Sequence, residues 1–194
     1  MSLKERIYSV LIVSASKSFD TAFSAFLPES NYDPVHYAPS ISYAKRALKD
    51  RTYDFVIVNS PLPDDSGVNF AIDACNISGT VALLIVKADI KDEITDIAGE
   101  YGVFTMAKPA SKSTVETALS WMSAARERLR NTEKKTLSLE EKMEEIRIIN
   151  KAKWLLISNR DMPEAEAHRY IEKQAMDRCM QKVAVAREII SLYS

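Results

Sequence analysis

Cysteine and histidine, which often act as nucleophiles, bases or metal ligands, are scarce in this chain of 194 residues. Cys75 and Cys179 are the only cysteines, and their separation in the sequence provides neither a disulfide framework nor a Cys-x-x-Cys motif. His36 and His168 are the only histidines. Because a zinc site needs three or four converging ligands, we expect no metal in this protein.

The glycines are equally informative about nucleotide chemistry. None of the four glycines belongs to a G-x-G-x-x-G pattern or to a Walker-type loop, so the common phosphate-binding folds are disfavoured. The sequence also shows no nucleophile and base in a recognisable catalytic pattern. An enzyme is therefore the least favoured class, and we expect no cofactor.

The composition is typical of a folded protein in water, with 46% hydrophobic and 27% charged residues. The longest apolar run, Val81–Val86, is far shorter than the roughly 20 residues that a membrane span requires. Met1–Ile7 does not resemble a signal peptide. The sequence therefore predicts a cytoplasmic protein that does not contact a membrane.

The predicted secondary structure, which must position any functional site, changes from alternating strands and helices to helices alone near Pro109. Before it, five short segments rich in Val, Ile and Tyr are predicted strands: Tyr8–Val13, Val35–Tyr37, Phe55–Val58, Val81–Val86 and Val103–Met106. Segments with helical spacing separate them: Thr21–Leu27, Ile41–Leu48, Val68–Cys75 and Asp92–Ala98. This alternation predicts an α/β domain with a five-stranded, doubly wound parallel sheet.

After Lys112 the pattern predicts helices only. Ser111–Arg130 is amphipathic and rich in alanine, and the Ser-Leu-Glu-Glu pattern at Ser138 predicts that a second helix begins there with a capping box. Asp161–Glu164 should cap the next helix, with Pro163 in its first turn. The helix that holds Val183 and Ile190 is the last.

Leu139, Met143 and Ile146 are spaced by four and three residues, and the same register extends backward through Thr136 and Thr132 to Leu129, which is typical of a short, imperfect coiled coil. The residues of this predicted dimer seam are Leu129, Leu139, Met143 and Ile146. The alternative is a helix that packs on its own domain. The charged flanks favour a homodimer.

The first part resembles a response-regulator receiver domain, a flavodoxin-like fold, over roughly residues 5–125. The resemblance rests on Asp54–Asn59 followed by Pro61-Leu-Pro, and on Met106-Ala-Lys-Pro after the fifth strand. Receivers accept a phosphoryl group on an aspartate beside a Mg²⁺ ion held by an acidic pair. A Thr or Ser senses the phosphoryl group, and a Lys neutralises it.

The resemblance implies a degenerate phosphoacceptor pocket in this chain. Asn59 stands at the acceptor position, Ser14 and Ala15 replace the acidic pair, Lys87 replaces the Thr or Ser, and only Lys108 is kept. An amide cannot form an acyl phosphate, and Mg²⁺ prefers carboxylate oxygens. The two lysines would form a small-anion site or, alternatively, remain solvated. Asp64 and Asp65 are predicted to lie in a solvated turn.

The last part resembles the ANTAR domain, the three-helix RNA-binding module of AmiR- and NasR-type transcription antiterminators, over roughly residues 140–192. The motifs are Asn150–Leu156, Glu164–Ala167, Gln174–Met176, Val183-Ala184 and Ile189-Ile190. Trp154, Glu172 and His168 depart from the family's usual residues, and Glu172 replaces a cation on the surface that should meet phosphate.

The candidate RNA-binding residues are Lys153, Arg160, Arg169 and Lys173. Trp154 is predicted to anchor packing between helices, and the alternative for Trp154 and Tyr170 is to stack on bases. Residues 149–194 carry eight Lys and Arg against six acidic residues, so local contacts rather than bulk charge must recognise RNA.

Together these features predict a receiver-like domain at 1–125, a helical coiled-coil linker at 126–148 and an ANTAR-like bundle at 149–194. The resemblance implies a phosphorylation-independent antitermination regulator that binds RNA hairpins, such as those of an mRNA leader, as a dimer. A sequestering or sensor protein is a further expected partner. The alternative is a protein-interaction scaffold that no longer binds RNA.

Overall fold

The computed structural model describes residues 6–77 and 79–193, which form two compact units with a boundary between Asn131 and Thr132. The first unit holds β1 (Tyr8–Val13), α1 (Lys17–Ser24), β2 (Tyr32–Ala38), α2 (Ile41–Asp50), β3 (Phe55–Asn59), α3 (Val68–Cys75), β4 (Val81–Lys87), α4 (Lys91–Gly99) and β5 (Phe104–Lys108). A long helix, α5 (Lys112–Arg160), begins in the first unit and ends in the second, which also holds α6 (Glu164–Asp177) and α7 (Lys182–Tyr193).

The five strands form one parallel sheet in the order β2-β1-β3-β4-β5, which confirms the predicted doubly wound fold. Their carboxyl ends share one edge of the sheet. At this edge Asn59 lies opposite Ile85 in the β3–β4 register, and Lys87 lies opposite Lys108 in the β4–β5 register. The predicted pocket residues are therefore neighbours in space.

Alternate side chains of the central strands enter two separate cores, because successive residues of a strand point to opposite faces. One core places Leu11, Val56 and Leu84 against residues of α2, α3 and α4. The other places Ile12 and Ile57, with neighbours on β4 and β5, against residues of α1 and the start of α5. Helices thus cover both faces, which explains why β3 is buried along its whole length.

The prediction that a second helix begins at Ser138 is wrong. Residues 112–160 form one helix, and Ser138 lies in its interior. The polar stretch Asn131–Thr136 contains no proline or glycine, so nothing in it interrupts the backbone hydrogen bonds. The capping-box pattern does not start a helix when the preceding turn is already helical.

The second unit is built around small and branched side chains of three helical segments. Ala167, Ile171 and Ala175, predicted at four-residue spacing on α6, are all buried against Leu156 of α5 and Val185 of α7. Asp161, between α5 and α6, and Cys179, between α6 and α7, have positive φ angles of 53° and 52°. Over the residues that are described, no helix is long and apolar enough to cross a membrane.

Candidate functional site

The carboxyl edge of the sheet brings three of the predicted pocket residues into one hydrogen-bonded chain. Lys108 donates from Nζ to Asn59 Oδ1 at 2.7 Å, and Asn59 donates from Nδ2 to Ser14 Oγ at 3.2 Å. Asn59 is only 6% exposed. Both ends of its amide are therefore occupied, which fixes the orientation of this side chain at the position that the resemblance predicts to be the phosphoacceptor position.

Lys87 lies opposite Lys108 in the β4–β5 register, and both Lys87 and Ala15 are exposed. Desolvation, followed by repulsion from Lys87, lowers the pKa of Lys108. Across residues 6–77 and 79–193, no carboxylate pairs with Lys87 or Lys108, and Ala15 offers only a methyl group. The pocket therefore carries an excess of positive charge.

Magnesium does not fit the residues present in this pocket. The Ser14 hydroxyl already accepts hydrogen bonds from Asn59 Nδ2 and from the Ser16 backbone N–H at 3.0 Å. In the described part of the chain no carboxylate hydrogen-bonds to Ser14, Asn59 or Lys108, and no three His, Cys, Asp or Glu side chains cluster as metal ligands. Mg²⁺ binding in proteins depends on carboxylate oxygens.

Asp64 and Asp65, placed by the sequence in a solvated turn, have specific structural partners. Asp64 accepts hydrogen bonds from the backbone N–H groups of Ile41 and Ser42 at 3.0 and 2.9 Å, and these bonds lower its pKa. Asp65 accepts one from the Gly67 N–H at 2.6 Å. Asp64 thus caps α2 from a distant loop, which local sequence patterns could not reveal.

Two of the four candidate RNA-binding cations are engaged within the second unit. Lys153 donates from Nζ to Glu164 Oε1 at 3.0 Å. Arg160 donates from Nε to the Tyr193 hydroxyl at 2.6 Å and lies over the rings of Tyr170 and Tyr193. These contacts connect the end of α5 to α6 and α7, so both side chains have a structural role.

Arg169 and Lys173 form the free part of the predicted cationic set. They are exposed and four residues apart on α6, so they share one helix face. Within the described residues neither side chain has an ion pair. Glu172, between them in sequence, is instead neutralised by Lys182 and contacts His168.

The prediction that Trp154 anchors helix packing is wrong. The side chain of Trp154 is 71% exposed. Its neighbours Ala152 and Leu156 enter the core, and a residue two positions away on a helix points to another side. Trp154 is therefore available as a stacking surface, whereas Tyr170 is held beneath Arg160.

The predicted dimer seam is an uncovered apolar stripe. Leu139, Met143 and Ile146 are exposed on α5, and Leu129 is partly so. Leu137, which the heptad register omits, is also exposed, but it lies two residues before Leu139 and therefore points to another side of the helix. Whether this stripe is a dimer interface remains a prediction.

Residues 137–190 match the family model of the ANTAR domain. The second unit carries an ANTAR domain. Its match confirms the resemblance predicted from the sequence. Over 178 residues the chain is 24% identical to the transcriptional regulatory protein PdtaR of Mycobacterium tuberculosis, covering 90% of this chain and 86% of that protein.

Solved receiver domains confirm the fold that precedes the ANTAR domain. The beryllofluoride-activated NtrC4 receiver domain dimer is 22% identical with a TM-score of 0.54, covering 61% of this chain and 98% of that one. The signal receiver domain of an HD domain-containing protein from Pseudomonas fluorescens Pf-5 is 20% identical with a TM-score of 0.57, covering 68% and 96%. These similarities show a receiver fold followed by an ANTAR domain.

Proposed function

We propose that this protein is a transcription antitermination regulator that binds RNA hairpins, such as those of an mRNA leader, through its ANTAR domain. The match of residues 137–190 to the ANTAR family model is the observation that carries this proposal. Similarity to PdtaR, a transcriptional regulatory protein, supports the regulatory role. The proposal divides the chain into a receiver-like domain at 1–125, a coiled-coil linker at 126–148 and an RNA-binding domain at 149–194.

The proposed RNA contact uses the α6 face that carries Arg169 and Lys173, with Trp154 as a base-stacking surface. Free cations can pair with phosphate oxygens without first breaking an internal ion pair. An exposed indole can stack on a base that is splayed out of a hairpin loop, which is how proteins usually recognise RNA loops. Lys153 would contribute only by exchanging Glu164 for phosphate.

The regulator is proposed to act without phosphorylation. The Asn59 amide is not a nucleophile, and its two ends are bound to Ser14 and Lys108. Its control would then come from a ligand, from a sequestering or sensor protein, or from its own abundance. The dimer would hold two ANTAR domains together so that they engage paired hairpins.

RNA binding tests the proposal through a double variant, Arg169→Gln with Lys173→Gln. Its affinity for a two-hairpin RNA should fall about tenfold or more, since a hydrogen bond to a charged group contributes about 1.5–3 kcal/mol. The matched control is Arg187→Gln, which removes one exposed cation from α7 and should leave affinity nearly unchanged. Circular dichroism would verify that the helices are intact.

Scrambled RNA of equal length separates recognition from nonspecific attraction. The proposal expects the two-hairpin RNA to bind more tightly than the scrambled RNA. Equal affinity for the two RNAs, or no effect of the double variant, would reject the proposed RNA-binding face.

A protein-interaction scaffold is the second candidate function. It is favoured by the number of cations that are neutralised internally, because Lys153 pairs with Glu164, Arg178 with Glu188 and Lys182 with Glu172. A surface selected only for phosphate would leave more of these cations free. Failure of the RNA experiment would favour this function.

A further inference from the structure

A cavity of about 510 Å³ lies at the edge of the receiver sheet, between β2 and α2. His36 and Tyr37 of β2 form one wall, Tyr43 and Arg46 of α2 form another, and Arg51 and Tyr53 follow α2 in the chain. Ligand pockets in proteins generally have volumes of about 300–1,000 Å³, so this space is large enough for a small organic molecule. It is separate from the pocket around Asn59.

The charged groups of the cavity favour an anion. Arg46 is exposed and has no ion pair among the residues that the structure describes. The Arg51 guanidinium lies 5.2 Å from the centre of the Tyr53 ring. Asp50 is the single carboxylate in the lining, so the two arginines outnumber it. Guanidinium groups offer a planar set of donors that fits phosphate or carboxylate oxygens.

The remaining walls favour a planar ring. Tyr37 and Tyr43 are 43% and 54% exposed, so their rings are accessible to a ligand. Tyr53 is almost completely buried and its hydroxyl is 2.7 Å from His36 Nδ1. This hydrogen bond holds the imidazole at one wall of the cavity. The burial of Tyr53 fixes the aromatic surface on which Arg51 rests.

We propose that this cavity, between the tyrosines and the two arginines, binds a small aromatic anion of the mononucleotide class. The arginines would hold the phosphate and a tyrosine ring would stack on the base. A bare phosphate would use only the arginines, and an uncharged nucleoside only the rings. Use of both the arginines and the tyrosine rings distinguishes a mononucleotide from bare phosphate and from an uncharged nucleoside. The receiver unit would thereby have a ligand site whose lining residues are distinct from those of the Asn59 pocket.

Isothermal titration calorimetry of the full chain provides the test, with the four ribonucleoside 5′-monophosphates as probes. At least one of them should bind more tightly than its uncharged nucleoside and than inorganic phosphate. Arg46→Gln and Arg51→Gln should each weaken that binding about tenfold or more, because each removes a charge-assisted hydrogen bond. Tyr43→Leu should weaken it about fivefold or more through the loss of stacking.

Two controls locate the binding. Lys45→Gln removes an exposed cation from the same helix without altering the cavity lining, so affinity should be unchanged. The Arg169→Gln, Lys173→Gln variant should also bind the nucleotide normally, which separates this proposal from RNA binding by the ANTAR domain.

Several results would overturn the ligand site. These are no heat of binding at millimolar probe concentrations, affinity no greater than that of phosphate or nucleoside, and equal effects of Arg46→Gln and Lys45→Gln. None of them would bear on the RNA proposal.

Discussion

Asp54 connects the sheet to the long helix α5 through hydrogen bonds and ion pairs. It lies directly before β3 and accepts hydrogen bonds from the Ser9 backbone N–H at 3.0 Å and the Ser9 hydroxyl at 3.1 Å. It also accepts them from Arg126 Nε at 2.7 Å and from Arg130 at 3.1 Å. Glu127 extends the network by pairing with Arg6 and Arg130.

We predict that Asp54→Asn destabilises the receiver unit. Arg126 and Arg130 would lose a carboxylate while remaining partly buried, and removal of a charged hydrogen-bond partner costs about 1.5–3 kcal/mol. Urea denaturation should therefore show a loss of about 2 kcal/mol. Asp96→Asn, at an exposed position on α4, is the control and should change stability by less than about 0.5 kcal/mol. Equal stability of the two variants would contradict a structural role for the network.

The pH dependence of stability tests the same carboxylate. Burial raises the pKa of Asp54, but the hydrogen bonds from Ser9 and the Arg126 guanidinium outweigh it and hold the pKa below the ordinary value of 3.8. The stabilisation is therefore complete above that value and is lost as the pH falls through the lower pKa of the folded state. The stability difference between the unmodified chain and Asp54→Asn should shrink as acid is added. A constant difference would contradict the assignment.

Asn59 leads to a prediction about phosphodonors. Incubation with acetyl phosphate and Mg²⁺ should leave the intact mass and the oligomeric state unchanged, because an amide cannot accept the phosphoryl group. Asn59→Asp should also remain unmodified, since Ser14 and Ala15 still provide no carboxylate for the metal. A stable phosphoprotein formed by the unmodified chain would contradict phosphorylation independence.

At the scale of elements, α5 carries an apolar stripe that none of the described residues covers. We predict that Leu139→Glu combined with Met143→Glu converts a dimer into monomers, because an unpaired charge in a buried interface costs several kcal/mol. Analytical ultracentrifugation measures the change. Leu192→Glu, at another exposed leucine, is the matched control and should leave the dimer intact. A dimer that survives both seam substitutions would place the interface elsewhere.

The elements differ in how far their sequences determine them. The central strands were predictable because buried parallel strands are continuously apolar, as Phe55–Val58 is, whereas the edge strand β2 has a single buried residue and extends beyond the predicted Val35–Tyr37. The continuity of α5 was not, because the capping pattern at Ser138 is a local signal and the helix depends on its neighbouring turns. The exposure of Trp154 was also missed, since an apolar residue type does not specify which side of a helix packs.

The contacts that could not be predicted from the sequence are mostly polar contacts between residues that are distant in the chain. Asp64 and the N-terminus of α2, or Asp54 and Arg126, are far apart in sequence and meet only in the folded chain. For the pair of Asp54 and Arg126, the available sequence signal was an aspartate immediately before an apolar strand. The approach of Lys108 to Asn59 was predictable, because the resemblance placed both at the carboxyl edge of a parallel sheet.

The whole molecule combines an acidic first part with a basic second part. Residues 121–194 carry 15 Lys and Arg against 12 acidic residues, whereas the complete chain has a net charge of −1. This modest positive excess predicts RNA binding that depends only weakly on salt for each ANTAR domain. The number of phosphate contacts can be counted from that dependence.

The salt dependence of RNA binding also tests whether the two proposed properties, dimerisation and hairpin recognition, act together. With about three phosphate contacts per ANTAR domain, the slope of log K against log salt should be near −2 for one domain and near −4 when both domains of a dimer engage a two-hairpin RNA. The Leu139→Glu, Met143→Glu variant should show the smaller slope on that RNA.

A single-hairpin RNA provides the control for this comparison, because it offers a site to only one domain. The unmodified chain and the seam variant should bind it with the same slope and nearly the same affinity. Loss of affinity for the single hairpin would mean that the substitutions damaged the ANTAR domain itself. An unchanged, steep slope of the seam variant on the two-hairpin RNA would show that the two ANTAR domains are not coupled through α5.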